Sequence, residues 1–158
     1  VSDPKLYTDY YYPAIDNVME KLNPSVIMLA SDEIRGFNRD SRNLKRGLSN
    51  AELVAEWLNK INDHVKTKDP DCRVMMWDDM LSPYHNGNEE YQLNYGGGPS
   101  GAISDAVEQN MIPNDVLLNV WWYFNTNLNQ MYASTEYFSS KGYQYFGCPW
   151  YDLANIQS

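Results

Sequence analysis

The chain is poor in basic residues, histidine and cysteine. Its 158 residues include 12 Lys and Arg against 21 Asp and Glu, with 2 His and 2 Cys, and the formal net charge is −9. This acidic balance argues against a nucleic-acid or anionic-membrane partner, because both select for clustered Lys and Arg. His64 falls on a predicted helix and His85 in a predicted loop. Two such histidines exclude a histidine-rich metal site and argue against a catalytic triad, so we predict neither a metal nor a cofactor.

Long apolar runs are also missing. No stretch approaches the length of a transmembrane helix, so we expect no membrane span. The run Gly96-Gly97-Gly98 is not followed by Lys-Ser/Thr and therefore predicts a flexible turn, not a phosphate-binding loop.

The acidic pair Asp32-Glu33 is the most informative feature that is present. It follows the apolar run at residues 25–30, and an unbroken apolar run is typical of a parallel strand that is buried on both faces. Two adjacent carboxylates at such a strand end predict a functional site. The alternative is that they cap the next element or pair with Arg35 and Arg39.

The same pattern recurs three times, so every predicted strand ends in aromatic or acidic residues. The strands at 72–77, 116–120 and 143–148 run into Asp78-Asp79, Trp121-Trp122-Tyr123 and Pro149-Trp150-Tyr151-Asp152, respectively. The strands of an alternating β/α chain are parallel, so these ends lie on one edge, where α/β enzymes build their sites. Four ends rich in Trp, Tyr and Asp favour a carbohydrate-type pocket.

Helical patterns separate the strands. Ser49 and Glu52 form a predicted capping box, followed by an apolar stripe and an expected helix end near Lys68. Further helices are predicted before residue 23, over 99–109 and over 128–141, giving the order α-β-α-β-α-β-α-β. We therefore predict an α/β fold, a partial (β/α)8 TIM barrel with about half of the barrel in a single domain at 1–158. The chain begins at Val1 and stops soon after its last strand, so we expect a piece of a longer polypeptide.

Two connections, 35–48 and 80–98, are much longer than is usual in β/α units and lie on the predicted site edge. Such loops fit an enzyme that encloses its substrate, although a partner-binding surface would look similar. The first carries a basic cluster, for which we consider a solvated loop or recognition of an acidic group: Arg35, Arg39, Arg42, Lys45 and Arg46.

Taken together, the Asp-Glu pair and the aromatic strand ends resemble strands four to seven of the glycoside hydrolase family 20 barrel, the β-N-acetylhexosaminidases. The resemblance implies substrate-assisted retaining hydrolysis of terminal N-acetylhexosamine, in which the 2-acetamido oxygen attacks its own anomeric carbon. Asp32 would orient the acetamido N–H, and Glu33 would protonate the leaving oxygen and then activate water. A secreted or lysosome-like location, a glycan substrate and the remainder of the barrel as a partner follow from the resemblance alone.

The resemblance also implies a set of substrate-binding residues. Aromatic side chains would wall the acetamido group and the sugar faces: Trp77, Trp121 or Trp122, and Trp150. Tyr151 would hydrogen-bond the acetamido oxygen and Asp152 a sugar hydroxyl, and Asp78 is a further candidate beside Trp77. The family's Tyr-x-Asp pattern is here the adjacent pair Tyr151-Asp152.

Two other functions remain open. Met28 occupies the position of a histidine that the family usually has, which favours a catalytically inactive carbohydrate-binding or structural protein. A conventional two-carboxylate glycosidase would instead pair Asp78 or Asp79 with Glu33, whereas the structural alternative makes Asp78-Asp79 a strand-end cap. Finally, parallel strands put Cys72 and Cys148 at opposite edges, so we expect no disulfide between them.

Overall fold

A computed structural model describes residues 2–97, 100–123 and 128–149. The described ranges hold a π-helical turn at Tyr7–Tyr11 and the following elements in chain order: α1 Pro4–Leu6, α2 Tyr12–Leu22, β1 Val26–Met28, α3 Ser41–Arg46, α4 Asn50–Lys68, β2 Arg73–Trp77, α5 Glu89–Asn94, α6 Asp105–Glu108, β3 Leu117–Val120, α7 Leu128–Ser140 and β4 Gln144–Gly147. None of the helices in these ranges combines the length and apolarity that crossing a bilayer requires.

The four strands form one parallel sheet in the order β1-β2-β3-β4. Each strand therefore pairs with the next strand in the sequence, and the carboxyl ends of all four lie at one edge of the sheet. This confirms the predicted mixed α/β fold and the four predicted strands.

The helix α4 covers one face of the sheet. Ser49 Oγ accepts the N–H of Glu52 at 3.1 Å and the Glu52 carboxylate accepts the N–H of Ser49 at 2.8 Å, so the predicted capping box is present. Beyond it, the predicted stripe is buried, with Leu53, Leu58 and Ile61 fully enclosed. Burying each such side chain stabilises the fold by about 1.5–3 kcal/mol.

The two faces of the sheet differ in burial. Strand residues in register on the covered face are enclosed: Ile27, Val74, Met76 and Leu118. On the opposite face Met28 is 39% exposed and Phe146 is 54% exposed, although Leu117 is buried there. The covered face is thus enclosed over β1 to β3, whereas at β4 Tyr145 on the same face is 40% exposed.

The helix predicted over 99–109 is wrong in extent. Of its residues that the structure describes, only Asp105–Glu108 is helical, and Gly101 has a φ of +83°, a left-handed conformation that a right-handed helix cannot include. Its apolar residues Ile103, Ala106 and Val107 nevertheless reach the core. The two long connections contain the unpredicted short helices α3 and α5.

Both cysteines are free thiols, as predicted. Cys72 is buried just before β2, while Cys148 is half-buried just after β4.

Candidate functional site

The residues after β1 leave the sheet with a strained backbone. Ala30, Ser31 and Glu33 have φ values of 57°, 73° and 46°. A left-handed conformation costs a non-glycine residue roughly 1–2 kcal/mol, so neighbouring groups must hold this turn in place. Pairing to β2 continues up to the turn, since the Trp77 N–H donates to the carbonyl of Ala30 at 3.1 Å. The side chains of Asp32 and Glu33 then emerge exposed at the edge of the sheet.

The acids after β2 are buried, unlike those after β1. Asp78 and Asp79 are both 0% exposed. Asp79 Oδ2 accepts the backbone N–H of Glu33 at 2.8 Å and the Asn86 side-chain amide at 2.9 Å. Asp78 Oδ1 accepts the backbone N–H of Trp121 at 3.2 Å. The pair therefore links the end of β2 to the end of β1 on one side and to the end of β3 on the other.

Burial raises the pKa of both acids. The pKa of Asp78 lies well above its ordinary value, mainly because of desolvation. The hydrogen bond from the Trp121 N–H lowers this pKa, and the charge of Asp79 raises it further. Desolvation likewise raises the pKa of Asp79, against the opposing bonds from Glu33 and Asn86. The Trp121 indole N–H faces Asp79 and opposes this shift without reaching full hydrogen-bond geometry. This pair therefore takes up a proton at a pH at which exposed carboxylates are still ionised.

These bonds match the strand-end cap interpretation of Asp78-Asp79. The predicted contact between Asp78 and a substrate stays a prediction. In this structure its carboxylate is enclosed and engages the chain's own backbone.

An aromatic cluster stands at the ends of β2 and β3. Trp121 is 9% exposed, and the His85 ring lies 4.5 Å from it and 4.2 Å from Trp122, measured between ring centroids. Tyr123 packs on Trp121 at 4.6 Å. Trp77 is half-buried at the end of β2. The aromatic residues predicted after β2 and β3 therefore lie at the edge of the sheet that carries Asp32-Glu33.

Sequence reasoning placed His85 in a loop and left it out of the site. Burial lowers the pKa of His85 to about 4, so the ring is neutral at pH 7. Its Nδ1 has no hydrogen-bond partner among the described residues. The available signal was its position in the long connection after β2, which the parallel topology places at the site edge.

Tyr91 is a second residue that sequence reasoning missed. Burial raises its pKa, and the nearby Glu33 and Asp79 charges raise it further. Its ring packs on Tyr95 at 4.4 Å, and the Arg35 guanidinium lies over the Tyr95 ring at 4.9 Å. The helix α5 thus brings a tyrosine and an arginine-aromatic stack beside the candidate acid.

Two residues of the basic cluster form ion pairs with acids of this chain. Arg42 pairs with Asp40 at 2.8 Å and also with Asp3, while Arg46 pairs with Glu56. Among the described residues no ion pair joins Asp32 or Glu33 to an arginine. The predicted alternative in which Arg35 and Arg39 neutralise the acidic pair is therefore wrong here.

A cavity of about 430 Å³ lies next to the turn after β1. It is lined on one side by the turn and on the other by helices, and it includes Ser31, Arg35, Arg39, Asn43 and Trp57. Asp32 and Glu33 are not part of its lining, so it lies beside the exposed carboxylates.

Three predicted substrate-binding residues, Trp150, Tyr151 and Asp152, lie outside the described residues. Within the described ranges no group of three or more His, Cys, Asp or Glu residues is placed to hold a metal ion.

Comparison with known proteins gives no assignment: no family model matches the chain, and no curated protein is significantly similar to it.

Proposed function

We propose that this chain is part of the catalytic domain of a glycoside hydrolase of the family 20 type, which removes terminal N-acetylhexosamine by substrate-assisted retention. The observation that carries the proposal is the contrast between the two acidic pairs. Asp32-Glu33 is exposed at the sheet edge among aromatic strand ends, while Asp78-Asp79 is enclosed beneath it. Only the first pair is open to a substrate.

The proposed barrel is supported by the strand order. The strands pair in sequence without the reversal of order that doubly wound sheets have, and helices cover one face. The other face leaves Met28 and Phe146 accessible, as an inner barrel face would before the remaining strands close over it. The remainder of the barrel is therefore the proposed partner of this face.

In the proposed mechanism, Asp32 orients the acetamido group and Glu33 donates a proton to the leaving oxygen. The acetamido oxygen forms a bond to the anomeric carbon as the glycosidic bond breaks, which gives a cyclic oxazolinium ion. Glu33 then removes a proton from the water that opens this ring, so that the configuration is retained and Glu33 is reprotonated. The indoles at the strand ends would pack against the C–H face of the sugar.

The first experiment tests Glu33 as the acid. In the complete polypeptide, Glu33→Gln should lower kcat by roughly 100-fold or more on an aryl N-acetylglucosaminide with a poor leaving group, because positioned general acids contribute about that much. The loss should be smaller with a good leaving group, which needs less protonation. Glu20→Gln is the matched control, since Glu20 is exposed on α2 away from the site edge. Equal losses with both leaving groups, or none, would contradict the role of Glu33.

A second experiment tests participation of the acetamido group. The wild-type protein should cleave aryl N-acetylglucosaminides, should not cleave the matching 2-hydroxy glucosides, and should bind a thiazoline analogue of the cyclic intermediate tightly. Cleavage of the 2-hydroxy substrate with no thiazoline inhibition would instead indicate a conventional two-carboxylate glycosidase.

One observation favours an inactive carbohydrate-binding protein as the second candidate. Met28 stands where the family usually has a histidine, and its sulfur accepts a hydrogen bond from the Asn119 side chain at 3.4 Å. Thiazoline binding without turnover of any N-acetylhexosaminide would support this candidate over the hydrolase.

A further inference from the structure

Glu33 combines an exposed side chain with a constrained backbone. Its φ of 46° lies in the left-handed region, where a residue with a Cβ is strained. Relaxation to a right-handed or extended conformation would rotate the direction in which the side chain leaves the backbone. A group in contact with Glu33 must therefore keep this conformation populated.

Asp79 is the group that contacts Glu33 at this point. Its Oδ2 accepts the Glu33 backbone N–H at 2.8 Å, although the two residues are 46 positions apart in the sequence. The Asp79 side chain is fully enclosed, and the Asn86 amide donates to the same oxygen at 2.9 Å. The acceptor therefore lies close to the end of β2 and is oriented by a second donor.

We propose that Asp79 is a positioning residue for Glu33, and that its buried carboxylate holds the backbone of the candidate acid in the conformation that the reaction needs. The consequence for catalysis rests on the function proposed above. The hydrogen bond itself is a separate claim that can be tested without turnover.

The first test measures the Glu33 amide in the wild-type polypeptide. Because its N–H is bonded to an enclosed carboxylate, we expect its hydrogen exchange to be slowed by about 100-fold or more relative to an unprotected amide, in spite of the exposed side chain. Exchange at the unprotected rate would overturn the proposal without the need for any variant.

The second test removes the acceptor. Asp79→Leu has a similar size but leaves the Glu33 and Asn86 donors without their acceptor, so its folding is first checked by circular dichroism. We expect the exchange of the Glu33 amide to rise by about tenfold or more. We expect kcat to fall by roughly 100-fold with KM little changed, because a misplacement of about 1 Å costs that much.

The conservative variant should rescue part of the loss. The Asn side chain in Asp79→Asn can still accept the Glu33 N–H through its amide oxygen, so its kcat and amide protection should lie between those of wild type and Asp79→Leu. If Asp79 had a merely structural role, the three proteins would not rank in the same order by kcat and by the protection of the Glu33 amide.

Ser134→Ala is the matched control. The Ser134 hydroxyl is buried and bonds to Ser82 in the connection after β2 at 2.6 Å, but it does not contact Glu33. Its loss should lower the melting temperature without changing kcat or the Glu33 amide. If folded Asp79→Leu and Asp79→Asn both keep the wild-type kcat and amide protection, the proposal is wrong.

Failure of the proposed function is distinguishable from failure of this inference. Absence of turnover and of thiazoline binding in the wild type would reject the function, whereas the positioning claim would then be decided by the Glu33 amide in wild type and Asp79→Leu.

Discussion

Protonation of His85 should destabilise the folded protein as the pH falls. The ring packs against Trp121 and Trp122, and burial lowers its pKa from 6.5 to about 4. Between these two values the unfolded chain binds a proton that the folded protein does not bind, so the free energy of unfolding falls as the pH drops through this window. The stability is fully present above about pH 6.5.

The size of the effect follows from the two pKa values. A pKa unit corresponds to about 1.36 kcal/mol, so the full window is worth at most about 3.4 kcal/mol, of which at most about 2.6 kcal/mol should be lost by pH 4.5. The ring is partly accessible to solvent, which makes these values upper limits.

The assay is a comparison of urea unfolding for wild type and His85→Phe at pH 7, 6, 5 and 4.5. Phenylalanine keeps an aromatic ring against the two indoles but cannot take up a proton. The carboxylates titrate in both proteins, so their contributions cancel in the difference. The wild type should lose about 2 kcal/mol more than His85→Phe between pH 7 and 4.5. A difference that is constant to within about 0.5 kcal/mol over this range would refute the reasoning.

Four further predictions follow from the fold. Leu58→Ala should lower the free energy of unfolding in urea by about 2–5 kcal/mol, because Leu58 is fully enclosed; a loss below about 1 kcal/mol would contradict the packing. Ser49→Ala should cost about 1 kcal/mol in the same assay through loss of the capping box, and no change would mean that the cap is not formed in solution. A thiol reagent should modify Cys148 in the native protein and reach Cys72 only after unfolding, and equal rates would contradict the burial of Cys72. The 158-residue chain alone should self-associate in sedimentation experiments, because β4 is an exposed sheet edge that carries Phe146 at 54% exposure. A stable monomer would favour a self-contained domain over a half barrel.

The sequence was most informative where one physical signal was strong. The strand at β2 and the helix α4 were predictable because apolar runs and a capping box specify local structure with little help from distant residues. The parallel order followed from the alternation of strands and helices. From that order the common edge for Asp32-Glu33 and Trp121 could be predicted from the sequence alone.

The rest depended on contacts that no local pattern records. The bond between Asp79 and the Glu33 amide joins residues that follow different strands. The left-handed residues of the turn after β1 are Ala30, Ser31 and Glu33, so no glycine in the sequence indicates this turn. The packing of His85 against two indoles depends on the path of a long connection. The helix over 99–109 failed because the left-handed Gly101 outweighed a helical apolar pattern.

The opposite orientations of Asp78 and Asp79 have a consequence for folding fidelity. Both acids lie directly after β2, where Asp79 bonds toward β1 and Asp78 bonds toward β3, so a shift of β2 by one residue against its neighbours would displace each acid from its backbone donor. It would also move each carboxylate by about 3.3 Å along the strand, too far to keep a hydrogen bond. Glu33 and Trp121 would then both lose their backbone partner. Correct strand alignment is therefore favoured, because a misaligned sheet would leave the buried Asp78 carboxylate without its backbone donor and Asp79 with the Asn86 amide alone.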